Sequence, residues 1–169
     1  GNHYNLPLFS VLSNFFYNAL RVILLITLMS FNKNSNSYQT ECISLETNGY
    51  ISFKIWDTKL GKSYKIEQAR KDAIHAVLYA GIAGSNGCST QTAILDKSED
   101  IYKFQKIENE FFSSKGKWAQ YTRSSSIETT LPANPIEKNW KVYQVSVSKD
   151  ALKKYLEEKS ILKSINTGF

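Results

Sequence analysis

Between residues 50 and 80 the spacing of apolar side chains changes from every second residue to every third or fourth, across one short turn. NGYISFKIWD places Ile51, Phe53 and Ile55 on one side of an extended chain and Tyr50, Ser52, Lys54 and Trp56 on the other. Successive side chains of a strand point to opposite faces, so this period of two predicts a half-buried strand. TKLGKS follows as a turn, with Gly61 as its break and Ser63 as the expected helix N-cap. From about residue 64 to residue 80, Ile66, Ala69, Ala73, Val77 and Ala80 recur on one helical stripe, widened by Ile74 and Ala76. Small alanines in that stripe let the helix approach a sheet closely. Strand and helix each have one apolar surface to bury, which confines the chain to folds that layer helices on a sheet.

The opposite side of this helix carries Gln68, Lys71, Asp72 and His75, and Glu67 and Lys71 stand at i,i+4 spacing as on an exposed face. His75 is therefore expected to face solvent. The helix runs into Gly81, Gly84 and Gly87, then Cys88. A phosphate cradle needs its glycines ahead of a helix, where free N–H groups and the positive dipole end meet the anion. Here they come behind one, where the negative end repels phosphate. Gly81 or Gly84 suits a left-handed C-cap instead.

Cys88 has three readings. A nucleophile needs a base within reach, and His75 is the only histidine after His3; Asp72 or Asp96 would assist such a pair. A closed zinc site cannot be made from two cysteines and one histidine without carboxylates, so no metal is expected. A disulfide pairs Cys88 with Cys42, the only other cysteine, and an exported chain favours it. Linking positions 46 apart is worth about 4 kcal/mol in the chain-entropy model.

Downstream, DKSEDIYKFQKIENEFFSS predicts one helix, with Ser98 at its N-cap, Glu99 and Asp100 in the first turn, and a stripe of Ile101, Phe104, Ile107, Phe111 and Phe112. WAQYTRSSSIETT reads as a polar strand, Pro132 and Pro135 mark a loop, and NWKVYQVSVS is a further strand. Ser148 is expected to cap a last helix, DALKKYLEEKS, buried through Ala151, Leu152, Tyr155 and Leu156. In the tail, Ile161, Leu162 and Ile165 pack or fray. The expected fold is α+β: a three-stranded, mainly antiparallel sheet with helices on one face, plus an apolar N-terminal helix. Tyr50, Trp56 and Trp140 would show on the other face as a partner surface.

Two segments are expected, 1–37 and 38–169. Hydrophobic residues at 42% and aromatics at 13% exclude a disordered chain. Residues 1–37 hold Arg21 and Lys33 and no acid, leaving a net charge of +4 on the remainder. Those charges are dispersed; KSYK (62–65), KDALKK (149–154) and EEKS (157–160) read as solvated faces, without the concentrated stripe that nucleic acid requires. Arg21, the ten-residue apolar run Val22–Phe31 and the small-polar NKNSNS follow the order of a secretory signal. A membrane anchor over residues 8–31, or a retained helix packed on the domain or on a second copy, are the competing readings.

QARKDAIHAVLYAGIAGSNGCSTQ together with YQVSVSKDALKKYLEEKSILKSINTGF resembles a group of small exported proteins of Bacteroides-type bacteria, over about residues 40–169. More distantly, the strand and its Ala-rich helix are similar to the N-terminal domain of flagellar assembly protein T and related small lipoproteins. The chain departs from the lipoproteins in lacking a lipidated cysteine. The resemblance implies a periplasmic or envelope interaction module without catalytic residues or cofactor, whose partner is a protein or envelope component. The alternatives are a cysteine-dependent enzyme using Cys88 and His75, and a single-stranded nucleic-acid binder using the sheet aromatics.

Overall fold

The computed structural model describes residues 36–85, 87–125 and 140–164. Strands β1 (Tyr38–Leu45), β2 (Tyr50–Asp57), β3 (Thr122–Ser125) and β4 (Val142–Ser148) form one antiparallel sheet in the order β1-β2-β4-β3. The α+β antiparallel architecture agrees with expectation, but the strand count is four, not three. β1 escaped notice because its inward residues, Tyr38, Thr40 and Cys42, offer little hydrophobic contrast. A bulge between Cys42 and Ser44 then breaks its period of two.

Register fixes what each face carries. Ile51, Phe53 and Ile55 stand opposite Val147, Val145 and Tyr143, and all six are buried. Burying each such aliphatic or aromatic side chain is worth roughly 1.5–3 kcal/mol. The reverse face pairs Ser52 with Ser146, Lys54 with Gln144 and Trp56 with Val142.

Helix α1 (Ile66–His75) lies on the apolar face and continues as a π-helical turn, Ala76–Ala80. Ala69, Ala73 and Ala76 are fully buried, as the alanine stripe predicts. Ala80 is exposed, because an i to i+5 turn no longer repeats at 3.6 residues. Ser63 does not cap this helix. It belongs to a short 3-10 turn, Gly61–Ser63, and Lys65 takes the cap position with extended backbone and no side-chain bond. Gly81 ends the π turn by donating its N–H to Ala76 O at 2.8 Å. It is not a left-handed C-cap, since its φ of 75° is combined with a ψ of 174°. A Cβ at Gly81 would lie 2.5 Å from Gln91 O, so the chain turns here only without a side chain. At Gly84 φ is not positive, and a Cβ would meet Cys88 O at 2.7 Å.

The helix expected after residue 98 is broken in two: α2 (Ser98–Gln105) and α3 (Glu108–Phe111). No glycine or proline signals the break. It lets Phe104 and Phe111 meet edge to face with ring centroids 5.4 Å apart. Ser98 is the first helical residue and Lys97 its cap. Of the expected polar strand, Lys117–Tyr121 forms a 3-10 turn and Thr122–Ser125 is β3, while residues 126–130 lie outside the described residues.

Ser148 does hold the N-cap position of α4 (Lys149–Glu158), without a side-chain bond. Gly49 O takes that role, accepting from the N–H groups of Lys149 and Asp150 at 3.0 and 3.4 Å. Leu152 and Leu156 are buried and Tyr155 half-buried, whereas Ala151 is exposed. Ile161 is buried and Leu162 packs on the core; Ile165 lies outside the described residues. So do the apolar N-terminal helix and the Pro132–Pro135 loop. Among the described residues no helix is long and apolar enough to cross a membrane.

Candidate functional site

Three places in the fold gather polar side chains. The first surrounds α1. Cys42 is buried on β1 and Cys88 half-buried in the glycine-rich segment, and the two are joined in a disulfide with Cα atoms 6.2 Å apart, within the usual span for such a bond. Ser85 adds a second tie by donating its hydroxyl to Cys42 O at 3.2 Å. The Cys88 sulfur is thus bonded to Cys42 rather than presented to a base.

His75 does not face solvent as its helical angle predicts. The ring is half-buried. Its Nδ1 is 2.9 Å from the Tyr38 hydroxyl, and it packs against Tyr79 at 4.7 Å between centroids. β1, the strand absent from the sequence reading, covers that side of α1. Burial pushes the His75 imidazole below the usual histidine range, against the pull of Glu108 and Asp72. Asp72 accepts from Tyr64 Oη at 2.9 Å and Gln68 Nε2 at 2.8 Å. Burial nonetheless raises its carboxyl above the ordinary value.

The reverse face of the sheet is the second place. Trp56 is only 8% exposed, so it offers no stacking platform. Tyr50 is half-buried with the Arg123 guanidinium 3.8 Å above its ring. Trp140 is half-buried and packs on Gly61. The expected row of open aromatics is therefore not brought together. A hydroxyl–carboxylate network takes its place: Ser52 Oγ donates to Glu46 Oε1 and lies 2.6 Å from Ser146 Oγ.

The third place is a cleft of about 410 Å³ between the N-terminal turn of α2 and one side of α4. Asp96, Glu99 and Asp100 line the α2 side, and Lys149, Lys153 and Glu157 the α4 side. Lys149 Nζ donates to Thr92 O at 3.2 Å and Gln91 Oε1 at 3.3 Å, leaving one of its three protons for another acceptor. Burial, and then the Lys153 ammonium, push Lys149 below the usual lysine range, opposed by Asp150. Asp100 is only 8% exposed. The buried side-chain polar atoms without a hydrogen-bond partner among the described residues are Arg70 Nε and Thr122 Oγ1, and neither oxygen of Asp100 is one of them.

This cleft was missed because its parts read separately as ordinary surface: KDALKK as a solvated face, Asp100 as a first-turn acid. The signal available was the i,i+4 pair Lys149 and Lys153, two like charges on one helical side. Among the described residues no group of three or more histidine, cysteine or carboxylate side chains is placed to hold a metal. Comparison with protein-family models, curated proteins and solved structures gives no match.

Proposed function

We propose that this chain is a non-enzymatic binding or assembly module of an exported compartment, the periplasm or cell envelope, recognising a protein or envelope component. The observation that carries the reading is the Cys42–Cys88 pair. Disulfides persist in oxidising compartments and are rare where glutathione and thioredoxin keep thiols reduced. The leader-like order of Arg21, Val22–Phe31 and the following small-polar residues supports the same compartment. A Cys88 nucleophile would first require reduction of the bond to Cys42, and its proposed base is engaged with Tyr38. Both favour binding over the cysteine-enzyme alternative.

The test is the intact mass of the native product in fractionated cells. An envelope or periplasmic product whose cysteines resist alkylation until reduced is the expected result. A cytoplasmic product with two alkylatable thiols overturns the reading.

A further inference from the structure

Glu46, Thr47, Asn48 and Gly49 turn the chain from β1 into β2, and this turn carries a chemistry that neither strand needs. An asparagine followed by glycine leaves its side-chain amide open to attack by the next backbone nitrogen, because glycine has no Cβ to shield that nitrogen. The chain has this step at Asn48 and Gly49 and again at Asn86 and Gly87; Asn86 lies outside the described residues. Asn48 is exposed at the end of the hairpin, so water and hydroxide reach it.

The Tyr50 N–H donates to Asn48 Oδ1 at 3.4 Å, which turns the side-chain amide back over the Gly49 peptide. That bond is long at rest and tightens as charge develops on the oxygen during attack on Cγ. The Gly49 N–H is held by a 3.3 Å bond to Glu46 O, longer than the usual amide bond, so little opposes its loss to hydroxide. On its other side Gly49 is tied to α4. Its carbonyl oxygen accepts from Lys149 and Asp150 N–H, and a Cβ on Gly49 would strike the Asp150 carboxylate. A change in the linkage between Asn48 and Gly49 is therefore felt at the first turn of α4.

We propose that Asn48 is a self-modification site whose isoaspartyl product uncaps α4. The Gly49 nitrogen, its proton taken by hydroxide, forms a bond to Asn48 Cγ. The Cγ–Nδ2 bond then breaks, and ammonia leaves with a proton from water as a succinimide closes. Water adds to either carbonyl of that ring. Opening between Cγ and the nitrogen gives aspartate. Opening between the backbone carbonyl carbon and the nitrogen gives isoaspartate, with an extra methylene in the main chain. The balance is one water in and one ammonia out, so the step is independent of the binding-module reading and of its compartment. The extra methylene displaces Gly49 O from the two α4 N–H groups.

The experiment incubates the oxidised full chain in heavy-oxygen water at mildly alkaline and mildly acidic pH. Peptide mapping with electron-transfer fragmentation then tells isoaspartate from aspartate. Asn48 should convert to both isomers, each labelled from solvent and faster at alkaline pH, while Asn109 in α3 keeps its amide. Asn48→Gln should keep its amide, since the longer side chain would have to close a six-membered ring. Ion exchange of the Asn86→Gln variant isolates a fraction altered at Asn48 alone. In its isoaspartyl form the Lys149 and Asp150 amides should exchange about fivefold faster, as on loss of a helix N-cap. Asn48→Asp adds the carboxylate without lengthening the main chain and should leave both amides protected. An Asn48 amide that lasts as long as that of Asn109, or aspartate formed without isoaspartate, overturns the self-modification. Unchanged protection of Lys149 and Asp150 in the isoaspartyl form overturns the uncapping.

Discussion

His75 sits against Tyr38 and Tyr79, half-buried on the far edge of α1, and its folded state favours the neutral ring. A depressed folded pKa contributes stability that is present above the unfolded value, near 6.5, and is lost as pH falls through the folded one. Urea midpoints should therefore decline as pH drops through 6.5 and below. His75→Gln should flatten part of that decline, while an unchanged slope would show that the ring gains nothing from its site. Asp72 works the other way: its raised pKa favours folding at low pH and loses that contribution as pH rises through the folded value. Phe104, fully buried among Phe111, Phe112 and Tyr79, should cost about 3–5 kcal/mol on truncation to alanine, measurable by chemical denaturation. Side chains on strong periodicities, such as Ile55 or Ala73, were legible in the sequence. His75 was not, because β1 decides its burial from far along the chain.

At the scale of elements, the glycine-rich segment and β1 depend on each other through Cys42–Cys88 and Ser85. Removing the bond by Cys42→Ala with Cys88→Ala should lower stability by about 4 kcal/mol in the chain-entropy model, or roughly 8–16 °C in Tm. The same midpoint for wild type and double variant would contradict this. Arg70 secures another junction. Its Nη2 donates to Ala119 O and Thr122 O, both at 3.0 Å, and its guanidinium lies 5.2 Å from the Trp118 ring centre. Lysine cannot reproduce that planar fork. Hydrogen bonds to a charged group contribute about 1.5–3 kcal/mol, so Arg70→Lys should speed hydrogen exchange in β3 about tenfold or more; unchanged protection would refute the role. Long apolar patterns revealed α1, β2 and β4. The split between α2 and α3 was hidden because it comes from ring packing in the finished core rather than from a helix-breaking residue.

At the scale of the whole fold, the packing of α1 on the apolar face of an antiparallel sheet follows from two periodicities meeting across a turn. The reverse face needed the register of β1, β2, β3 and β4 before its serines, Glu46 and Arg123 could be seen as neighbours. The cleft likewise needed α2 and α4, about fifty residues apart, to be brought side by side. The proposed function leans on one covalent feature, the Cys42–Cys88 disulfide. Proteolytic digestion of protein purified without reductant, mapped by mass spectrometry under non-reducing, acidic conditions, tests that fact directly. The account predicts one linked species containing Cys42 and Cys88, lighter than its two reduced peptides by the thiol hydrogens. Two separate peptides, each alkylated at its cysteine, would contradict it.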